Sequence, residues 1–256
     1  MTLVRRLFVL LCGFEIIPKT VSTRNRGEGF ILSEPVCSYL LDTELGWVLL
    51  DAGINPANLD DPAKMAARFS RFIPPVVRPA HRLDAQLAEI GIDFADIGHV
   101  IISHLHFDHC GYLNRFPHAR ISIQRSEYQW AFSNDAEPAY FRDDYDDPRL
   151  RWELKDGDWQ AMPGLELLDT RGHSRGHQSA MIKLPDTGTV LLPFDAGDLD
   201  ENFAEEILPG CCYDDVAAMN SIRRINELRV VENAAMFLFH DPVAVQRMRL
   251  APLFYS

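Results

Sequence analysis

Four side chains that can bind a metal ion lie within six residues of this chain, in the run His104-Leu105-His106-Phe107-Asp108-His109. Imidazole nitrogens and carboxylate oxygens are the groups with which proteins bind zinc and similar divalent cations. Packing rarely accounts for such a cluster, because ionisable side chains are seldom buried without a partner. A catalytic metal takes about three protein ligands and keeps one position open for water. The run therefore predicts a metal site that activates a water molecule for hydrolysis.

Three more candidate ligands are spread along the chain, each close behind a predicted strand, namely His173, Asp195 and His240. Gly172 before His173 allows the backbone to pass close to a metal. Two catalytic metals need about six or seven ligands, and the run together with these three residues supplies that number. His177 is expected to orient a neighbouring ligand rather than to bind a metal itself. The remaining histidines are expected to be structural or exposed, namely His81, His99 and His118.

The elements that must position these ligands alternate between strands and helices. Apolar runs bounded by turn residues predict strands over the ranges Leu7–Leu11, Cys37–Thr43, Trp47–Asp51, His99–Ser103, Ala119–Gln124, Leu165–Asp169, Ala180–Leu184, Thr189–Phe194 and Ala235–Phe239. Apolar residues at helical spacing predict one helix that ends at Gly91 and another that contains Val216 and Ile225. This order favours two packed sheets with helices outside, in a single domain over residues 1–256. The stretch Ser133–Arg151, rich in Asp, is expected to be a solvated loop.

The composition is that of an acidic globular protein, with a hydrophobic fraction of 47% and a formal net charge of −12. Nucleic acid is not an expected partner, because binding to it normally rests on concentrated lysine and arginine. The five cysteines are scattered and form no Cys-x-x-Cys pair, which favours a reducing, cytoplasmic location. The apolar run Leu7–Leu11 is too short to cross a membrane, and it is interpreted as a first strand rather than a signal peptide.

These residues resemble the metallo-β-lactamase superfamily, whose signature His-x-His-x-Asp-His stands here as His104, His106, Asp108 and His109. Within the superfamily, the chain most resembles the N-acyl homoserine lactonases. That resemblance extends over the segments Ser103–His109, Gln124–Tyr128, Gly172–Ser179, Asp195–Ala196 and Glu201–Phe203. It implies an α+β fold, the four-layer αββα sandwich, with the metal ions at the edge where the two sheets meet.

The resemblance also implies how the ligands are shared between two divalent metal ions. One ion would be held by His104, His106 and His173, the other by Asp108, His109 and His240, with Asp195 as a bridge. Zinc is expected, although the same ligands accept iron, cobalt or manganese. The implied activity is quorum quenching, in which a hydroxide held between the ions opens the lactone ring of an N-acyl homoserine lactone. The implied partner is a small-molecule lactone, with no nucleic acid and no membrane, and a homodimer is left open.

The resemblance assigns catalytic roles to Asp108 and to position 198, where this chain departs from the lactonases. Those enzymes usually have a tyrosine there whose hydroxyl can hydrogen-bond the substrate, whereas this chain has Asp198. An ionised carboxylate cannot donate a hydrogen bond. Asp198 is therefore protonated, faces solvent, or is compensated by another donor such as Tyr213 or Tyr140, and the last two are favoured. Arg175 also stands where the family commonly has proline.

A predicted substrate-binding surface lies before the metal-binding run. Met65, Phe69 and Phe72 precede Pro74-Pro75, in a region where related enzymes have a loop that covers the acyl chain. We expect these three apolar side chains, together with Tyr213, to contact the substrate. Packing in the hydrophobic core would explain the three apolar residues equally well.

Other functions compete with the lactonase interpretation. A pyridoxolactonase-like enzyme or a glyoxalase II-like thioesterase would use the same ligands, but the short segment after His240 disfavours the helical extension of glyoxalase II. An iron-dependent oxidoreductase of the persulfide dioxygenase or flavodiiron type is disfavoured by His106 and by the expected lack of an extra domain. A pseudoenzyme that kept the fold and lost the chemistry is disfavoured because all seven candidate ligands are present.

Overall fold

A computed structural model of the protein describes residues 2–70 and 73–256. Phe72, one of the predicted substrate-binding residues, lies outside the described residues. The first sheet contains the strands β1 (Val4–Pro18), β2 (Ile31–Thr43), β3 (Gly46–Leu50), β4 (Ile97–Ile101), β5 (Arg120–Gln124) and β6 (Arg151–Lys155). The second contains β7 (Trp159–Met162), β8 (Leu165–Asp169), β9 (Gln178–Leu184), β10 (Gly188–Leu192) and β11 (Ala235–Met236). The α-helices are α1 (Lys19–Ser22), α2 (Ala57–Asp60), α3 (Pro62–Arg68), α4 (Leu83–Ile90), α5 (Phe107–Cys110), α6 (Arg125–Ala131), α7 (Asp200–Ala204) and α8 (Asp215–Val231).

The first sheet follows chain order from β1 to β6. Its strands β1, β2 and β3 are antiparallel neighbours, whereas β3, β4, β5 and β6 run parallel. Parallel neighbours need connections that cross over the sheet, and these connections carry the helices α2 to α6. The carboxyl ends of β3, β4 and β5 therefore lie at the same edge of the sheet. The run His104–His109 begins just beyond the end of β4 at that edge.

The second sheet is covered on both faces, as its alternating side chains require. Leu167 and Val190 belong to the main cluster of buried side chains, which draws on both sheets. Their neighbours Leu168 and Leu191 pack instead with Ile222 of α8. Successive side chains of a strand point to opposite faces, so the first sheet lies against one face and α8 against the other. The predicted α+β fold, an αββα sandwich with two packed sheets and helices outside, is confirmed.

Two strands are missing from the sequence prediction, and several predicted strands differ at their ends, most of all β1 and β2, which are longer than the predicted Leu7–Leu11 and Cys37–Thr43. The predicted strand Ala235–Phe239 is too long, because only Ala235–Met236 pairs with β10. β6 and β7 are not among the predicted strands, and both are short and mostly only partly buried. β6 alternates charged and apolar residues and β7 has only four residues, so neither has the continuous apolar run from which the other strands are predicted.

The stretch Ser133–Arg151 is only partly the solvated loop that its composition predicts. Tyr140 and Phe141 are buried in its middle. The carbonyl oxygen of Ala139 accepts a hydrogen bond from the backbone N–H of Phe107 at 3.0 Å. The prediction is wrong for this part of the stretch, because its aromatic side chains bury against the metal-binding run instead of facing water.

Two expectations concern the whole chain, namely that it forms a single domain and that it has no membrane-spanning segment. A single domain over residues 1–256 stays a prediction, supported by the main core to which both sheets contribute. In the ranges 2–70 and 73–256, no helix is long and apolar enough to cross a bilayer.

Candidate metal centre

The candidate ligands meet at one edge of the sandwich, because each follows the carboxyl end of a strand. His104 and Asp195 follow β4 and β10, while His173 and His240 lie beyond β8 and β11. The ligands form two groups. We call the first group the histidine half, consisting of His104, His106 and His173, and the second the carboxylate half, consisting of Asp108, His109 and His240. Both sheets therefore contribute to one centre.

Three ring nitrogens face one another in the histidine half. His104 Nε2 lies 2.9 Å from His106 Nδ1 and 3.2 Å from His173 Nε2, and the last two atoms are 3.1 Å apart. Asp195 Oδ2 lies 3.6 Å from His104 Nε2 and 3.3 Å from His173 Nε2. Ligand atoms about 2.0–2.1 Å from a tetrahedral zinc ion are about 3.3–3.4 Å from one another. These four atoms therefore have nearly the spacing of a tetrahedral metal site.

The carboxylate half is arranged around the other oxygen of Asp195. His109 Nε2 lies 3.1 Å from Asp108 Oδ2 and 3.2 Å from Asp195 Oδ1. His240 Nε2 lies 3.5 Å from each of these two oxygens. Oδ2 of Asp195 thus faces the histidine half and Oδ1 faces the carboxylate half. A carboxylate in this position is able to bridge two metal ions.

Asp51 and Ser103 determine which nitrogen carries the proton in two of the imidazoles. Asp51 Oδ2 accepts hydrogen bonds from Ser103 Oγ at 2.8 Å and from His109 Nδ1 at 2.7 Å. Ser103 Oγ, which has donated its own hydrogen, accepts from His104 Nδ1 at 3.0 Å. A neutral imidazole that donates through Nδ1 presents an unprotonated Nε2. His104 therefore directs an Nε2 lone pair into the centre, whereas His109, held through Nδ1, directs its Nε2 atom there.

His177 and Pro35 orient further ligands without belonging to either half. The backbone N–H of Asp195 donates to His177 Nε2 at 3.1 Å, and His177 Nδ1 donates to the carbonyl oxygen of Thr170 at 3.0 Å. His240 Nδ1 donates to the carbonyl oxygen of Pro35 at 3.0 Å, which leaves Nε2 for the carboxylate half. The contact of His177 with Asp195 is of the kind that the sequence predicts, since it orients a neighbouring ligand.

Burial and neighbouring charges separate the pKa values of the two halves. Burial and neighbouring imidazoles lower the pKa of His104 well below its ordinary value and that of His106 to about 3. Burial acts the same way on His109 and His240, but the surrounding carboxylates, with Asp195 common to both, raise their pKa values well above the ordinary range. At neutral pH the histidine half therefore offers neutral imidazoles, whereas the carboxylate half pairs imidazolium groups with carboxylates.

The donor set fits divalent cations. Within the described residues, the buried atoms His109 Nε2 and Asp195 Oδ1 make no hydrogen bond. The unprotonated Nε2 of His104 faces ring nitrogens of His106 and His173. A cation among these three nitrogens would satisfy all of them at once. Imidazole nitrogens mixed with carboxylate oxygens suit zinc and related metals.

Asp198 is buried, so the expectation that it faces solvent is wrong. Its side chain lies in a segment, residues 191–199, that is buried throughout, and Asp198 itself is 6% exposed. In the described part of the chain, its Oδ1 has no hydrogen-bond partner. Burial, together with the carboxylates of Asp195 and Glu34, raises the pKa of Asp198 well above its ordinary value despite the opposing effect of His240. The neutral, protonated form is therefore favoured at this position.

Tyr213 lies beside the histidine half, stacked on an arginine. Its backbone N–H donates to the carbonyl oxygen of His173 at 3.1 Å. The guanidinium of Arg175 lies 3.7 Å and 3.9 Å from the ring centroids of Trp130 and Tyr213, and Arg175 Nη1 donates to Tyr213 Oη at 2.5 Å. Because the Tyr213 hydroxyl accepts this bond, its own proton is left for another partner. Tyr213 is 48% exposed and can therefore meet a ligand from solvent.

Phe69 belongs to an aromatic cluster beside the metal-binding run. Its ring centroid lies 5.5 Å from those of Phe107 and Phe141, and Phe69 is 6% exposed. Met65 lies on α3 and is half-buried. Aromatic rings at this distance attract one another, so packing accounts for the position of Phe69 without any ligand.

Three residues of this site show no chemical signal in the sequence, namely Asp51, Ser103 and Glu127. Asp51 looks like the last residue of a strand, yet its φ of +58° ends β3 and turns the carboxylate towards His109. A non-glycine residue in the left-handed region is uncommon and often marks a functional position. Ser103 directly precedes His104, and both Ser103 and Glu127 lie in segments that carry the resemblance to the lactonases.

Known proteins are similar in sequence to nearly the whole length of this chain. The family model of the metallo-β-lactamase superfamily matches residues 34–240. An N-acyl homoserine lactonase of Bacillus cereus is 33% identical over 243 residues, which cover 93% of this chain and 94% of the relative. The N-acyl homoserine lactonase AttM of Azorhizobium caulinodans is 34% identical, with 91% of each chain covered.

Solved structures agree with these relatives. An N-acyl homoserine lactone hydrolase with the product N-hexanoyl-L-homoserine bound at its catalytic metal centre has a TM-score of 0.90 and 32% identity, with 100% of both chains covered. A dizinc quorum-quenching lactonase at 18% identity, with a TM-score of 0.70 and coverage of 94% of this chain and 92% of that one, shares the fold. The resemblance drawn from the sequence is confirmed, and the chain belongs to the metallo-β-lactamase superfamily.

Proposed function

We propose that the protein is a metal-dependent hydrolase that opens the lactone ring of N-acyl homoserine lactones, an activity that amounts to quorum quenching. The observation that carries this proposal is a pair of ligand groups joined by the two oxygens of Asp195. The lactonases to which the chain is similar over nearly its whole length supply the substrate class.

Divalent metal ions are part of the proposed activity. The histidine half would hold one ion and the carboxylate half a second, with Asp195 bound to both. Ions bound there lower the pKa of a coordinated water molecule and polarise the lactone carbonyl. Zinc is the proposed metal, since the donor set suits it, and iron, cobalt or manganese would be accepted by the same ligands.

Asp108 and Asp198 are proposed to act on the substrate in opposite protonation states. Burial opposes the ionisation of Asp108, but His109 and His240 outweigh it and lower the pKa of Asp108, so this carboxylate is ionised at neutral pH and is proposed to act as the negatively charged partner. Asp198 holds its proton because its pKa is raised well above the ordinary value, chiefly by burial. A protonated carboxyl group donates a hydrogen bond, and Asp198 would then serve the substrate oxygen as the tyrosine hydroxyl does in the lactonases.

The acyl chain of the substrate is proposed to lie between two surfaces. Met65 and Phe69 form one of them, beside the metal-binding run. Tyr213 belongs to the other, where its exposed ring is stacked on Arg175. Phe72 stays a prediction for the same surface as Phe69.

Proton release during hydrolysis tests the proposed function. Ring opening creates a carboxylic acid, which loses its proton at neutral pH, so turnover acidifies a weakly buffered solution. The metal-loaded protein should turn over homoserine lactones with short and with long acyl chains. His106→Ala should abolish this turnover, whereas the matched change His118→Ala, at an exposed histidine, should leave it intact. Turnover of a thioester without turnover of any lactone would overturn the proposal.

The cytoplasmic location and a homodimer stay predictions. All five cysteines are unpaired, as expected in a reducing compartment. A gel-filtration mass twice that of the chain would support the homodimer.

A further inference from the structure

Glu127 places a fully buried carboxylate behind the histidine half. It lies on the first turn of α6 and is 0% exposed. Its Oε1 accepts hydrogen bonds from the backbone N–H of Leu105 at 3.1 Å and from Tyr140 Oη at 2.8 Å. Its Oε2 accepts from Ser174 Oγ at 2.6 Å and from the backbone N–H of Gly176 at 3.0 Å. Both oxygens are thus fully engaged, and every partner is a donor.

Three of the four donors come from the segments that carry the imidazoles of the histidine half, and the fourth is the hydroxyl of Tyr140. Leu105 stands between His104 and His106, so Oε1 holds the backbone from which these two rings project. Ser174 directly follows His173 in the other segment, which Oε2 holds. One carboxylate therefore connects two loops that are far apart in sequence and that must bring their imidazoles within about 3 Å of each other.

Two neighbouring residues, Gly176 and Tyr140, pack closely around the hydrogen bonds of Glu127. A Cβ atom at Gly176 would lie 2.4 Å from the backbone nitrogen of Glu127, so only glycine allows the loop to approach α6 this closely. Tyr140, while donating to Glu127, sets its ring 4.7 Å from that of His106 at an interplanar angle of 78°. The carboxylate thus also fixes the aromatic ring that packs against His106.

The carboxylate half has a different support. His109 is held by Asp51 and His240 by the carbonyl oxygen of Pro35, and neither imidazole is hydrogen-bonded to Glu127. A substitution of Glu127 should therefore change the metal affinities of the two halves unequally. Residues that orient metal ligands from behind typically change metal affinity by about 10- to 100-fold when they are replaced.

We propose that Glu127 is a positioning residue that sets the separation of the His104–His106 pair from His173 and thereby the metal affinity of the histidine half alone. The inference rests on the proposed function only in taking the histidine half as a metal site. In Glu127→Gln the size of the side chain is kept, but one oxygen becomes an NH₂ group that faces donors. Whichever way the amide is turned, one of the two loops loses its acceptor.

Zinc affinity measured one half at a time tests this inference. His240→Ala leaves the histidine half as the intact group, and His173→Ala leaves the carboxylate half. Competition with a chromophoric chelator gives the Zn²⁺ affinity of each variant with and without Glu127→Gln. We expect Glu127→Gln to weaken zinc binding about 10- to 100-fold in the His240→Ala background and by less than about threefold in the His173→Ala background.

Glu137→Gln is the matched control, because Glu137 is an exposed carboxylate that contacts Trp130, and it should change neither affinity. Ser174→Ala removes the shortest of the four bonds and keeps the carboxylate, so it decides the question if Glu127→Gln does not fold. It should weaken the histidine half about three- to tenfold. Equal losses in both halves, or no loss in the histidine half, would overturn the inference. Because the titration uses no lactone, it can succeed even if the lactonase proposal fails.

Discussion

The two halves of the metal centre are surrounded by different charges. In the histidine half, three imidazoles meet one oxygen of Asp195. Ser103 supports His104 directly, and Glu127 holds the loops that carry the imidazoles. In the carboxylate half, Asp108 and the other oxygen of Asp195 lie directly beside the imidazole of His109. Glu34 and Glu15, which pair across β2 and β1, add further carboxyl groups on that side. Burial raises the pKa of both, and His240 only partly opposes this effect.

This difference indicates two ways to prepare an imidazole for a metal ion. The histidine half keeps its rings neutral by burial and mutual repulsion, so their lone pairs are available at neutral pH. The carboxylate half holds its rings as imidazolium groups, which must lose a proton before they can bind a cation. Asp195 contacts both halves, so we expect the centre as a whole to depend on it.

Asp195→Asn should have the largest effect, because it removes the connection between the halves. An amide offers one oxygen and one NH₂ group, so it can serve a cation on one side only. We expect the variant to retain about one metal equivalent per chain. Its kcat/KM for a homoserine lactone should fall at least about a thousandfold, equivalent to about 4 kcal/mol of transition-state stabilisation. Metal analysis after dialysis and the proton-release assay measure the two effects.

Asp186→Asn is a suitable control for this change, since Asp186 lies in the turn between β9 and β10 and contacts Ser256. Two retained metal equivalents with activity within about tenfold of the wild type would contradict the role of Asp195 as a bridge.

The run His104–His109 could be predicted as a metal site from sequence because the residue types and their spacing carry the chemistry. The strands that position it were also predictable, since β4 and β10 are apolar runs that end in turn residues. The sequence, together with the resemblance to the lactonases, thus indicates the ligands and the edge of the fold at which they meet.

The contacts behind the ligands could not be predicted in this way. Glu127 is distant in sequence from His104 and looks like any acidic residue in the first turn of a helix. Asp51 becomes a partner of His109 only because of a left-handed backbone conformation that no local pattern specifies. The burial of Asp198 is likewise a tertiary property, set by how residues 191–199 pack.

Asp198→Ala should have the next largest effect, on the side of the centre that is rich in carboxyl groups. If Asp198 donates a hydrogen bond to the substrate, its removal should lower kcat about 100- to 1,000-fold, as for the loss of a donor to a developing oxyanion. Asp198→Asn keeps a donor and should stay within about tenfold of the wild type. Rates at saturating lactone give both values.

The comparison of the two substitutions at position 198 separates a protonated carboxyl group from an ionised one. An ionised carboxylate would be replaced no better by asparagine than by alanine, because its charge is lost in both variants. Equal losses in kcat would therefore contradict a protonated Asp198. A wild-type rate in Asp198→Ala would show that the group does not act on the substrate.

The pH dependence of metal binding should differ between the halves by up to about a hundredfold per pH unit. The pKa values of His109 and His240 are raised, so both rings carry a proton at neutral pH that metal binding must displace. Zinc affinity of the carboxylate half should therefore rise with pH by up to about two powers of ten per unit. His104 and His106 have lowered pKa values and release no proton near pH 7, so the histidine half should bind almost equally from about pH 6.5 to 8.5.

Zinc titrations of His173→Ala and His240→Ala over this pH range measure the two slopes. Calorimetry in buffers of different ionisation enthalpy counts the released protons independently. Equal slopes for the two variants would mean that their imidazoles start in the same protonation state, contrary to the charges around them.

Asp51→Asn should have the smallest effect of these changes, and it tests where one half ends and the other begins. Asp51 supports His109 directly, but through Ser103 it also reaches His104, whose Nδ1 donates to the same hydroxyl. Because the direct bond involves the charged carboxylate and the indirect one a neutral hydroxyl, we expect zinc affinity to fall about tenfold in the carboxylate half. The histidine half should change by less than about threefold.

Glu127→Gln is expected to produce the opposite selectivity, so the two variants form a reciprocal pair when each half is titrated separately. Equal losses in both halves after Asp51→Asn would show that Ser103 couples His104 to His109. In that case the zinc affinities of the two halves would not be independent of each other. A selective effect of Glu127→Gln would then come from the two loops that Glu127 connects, and not from two separate metal sites.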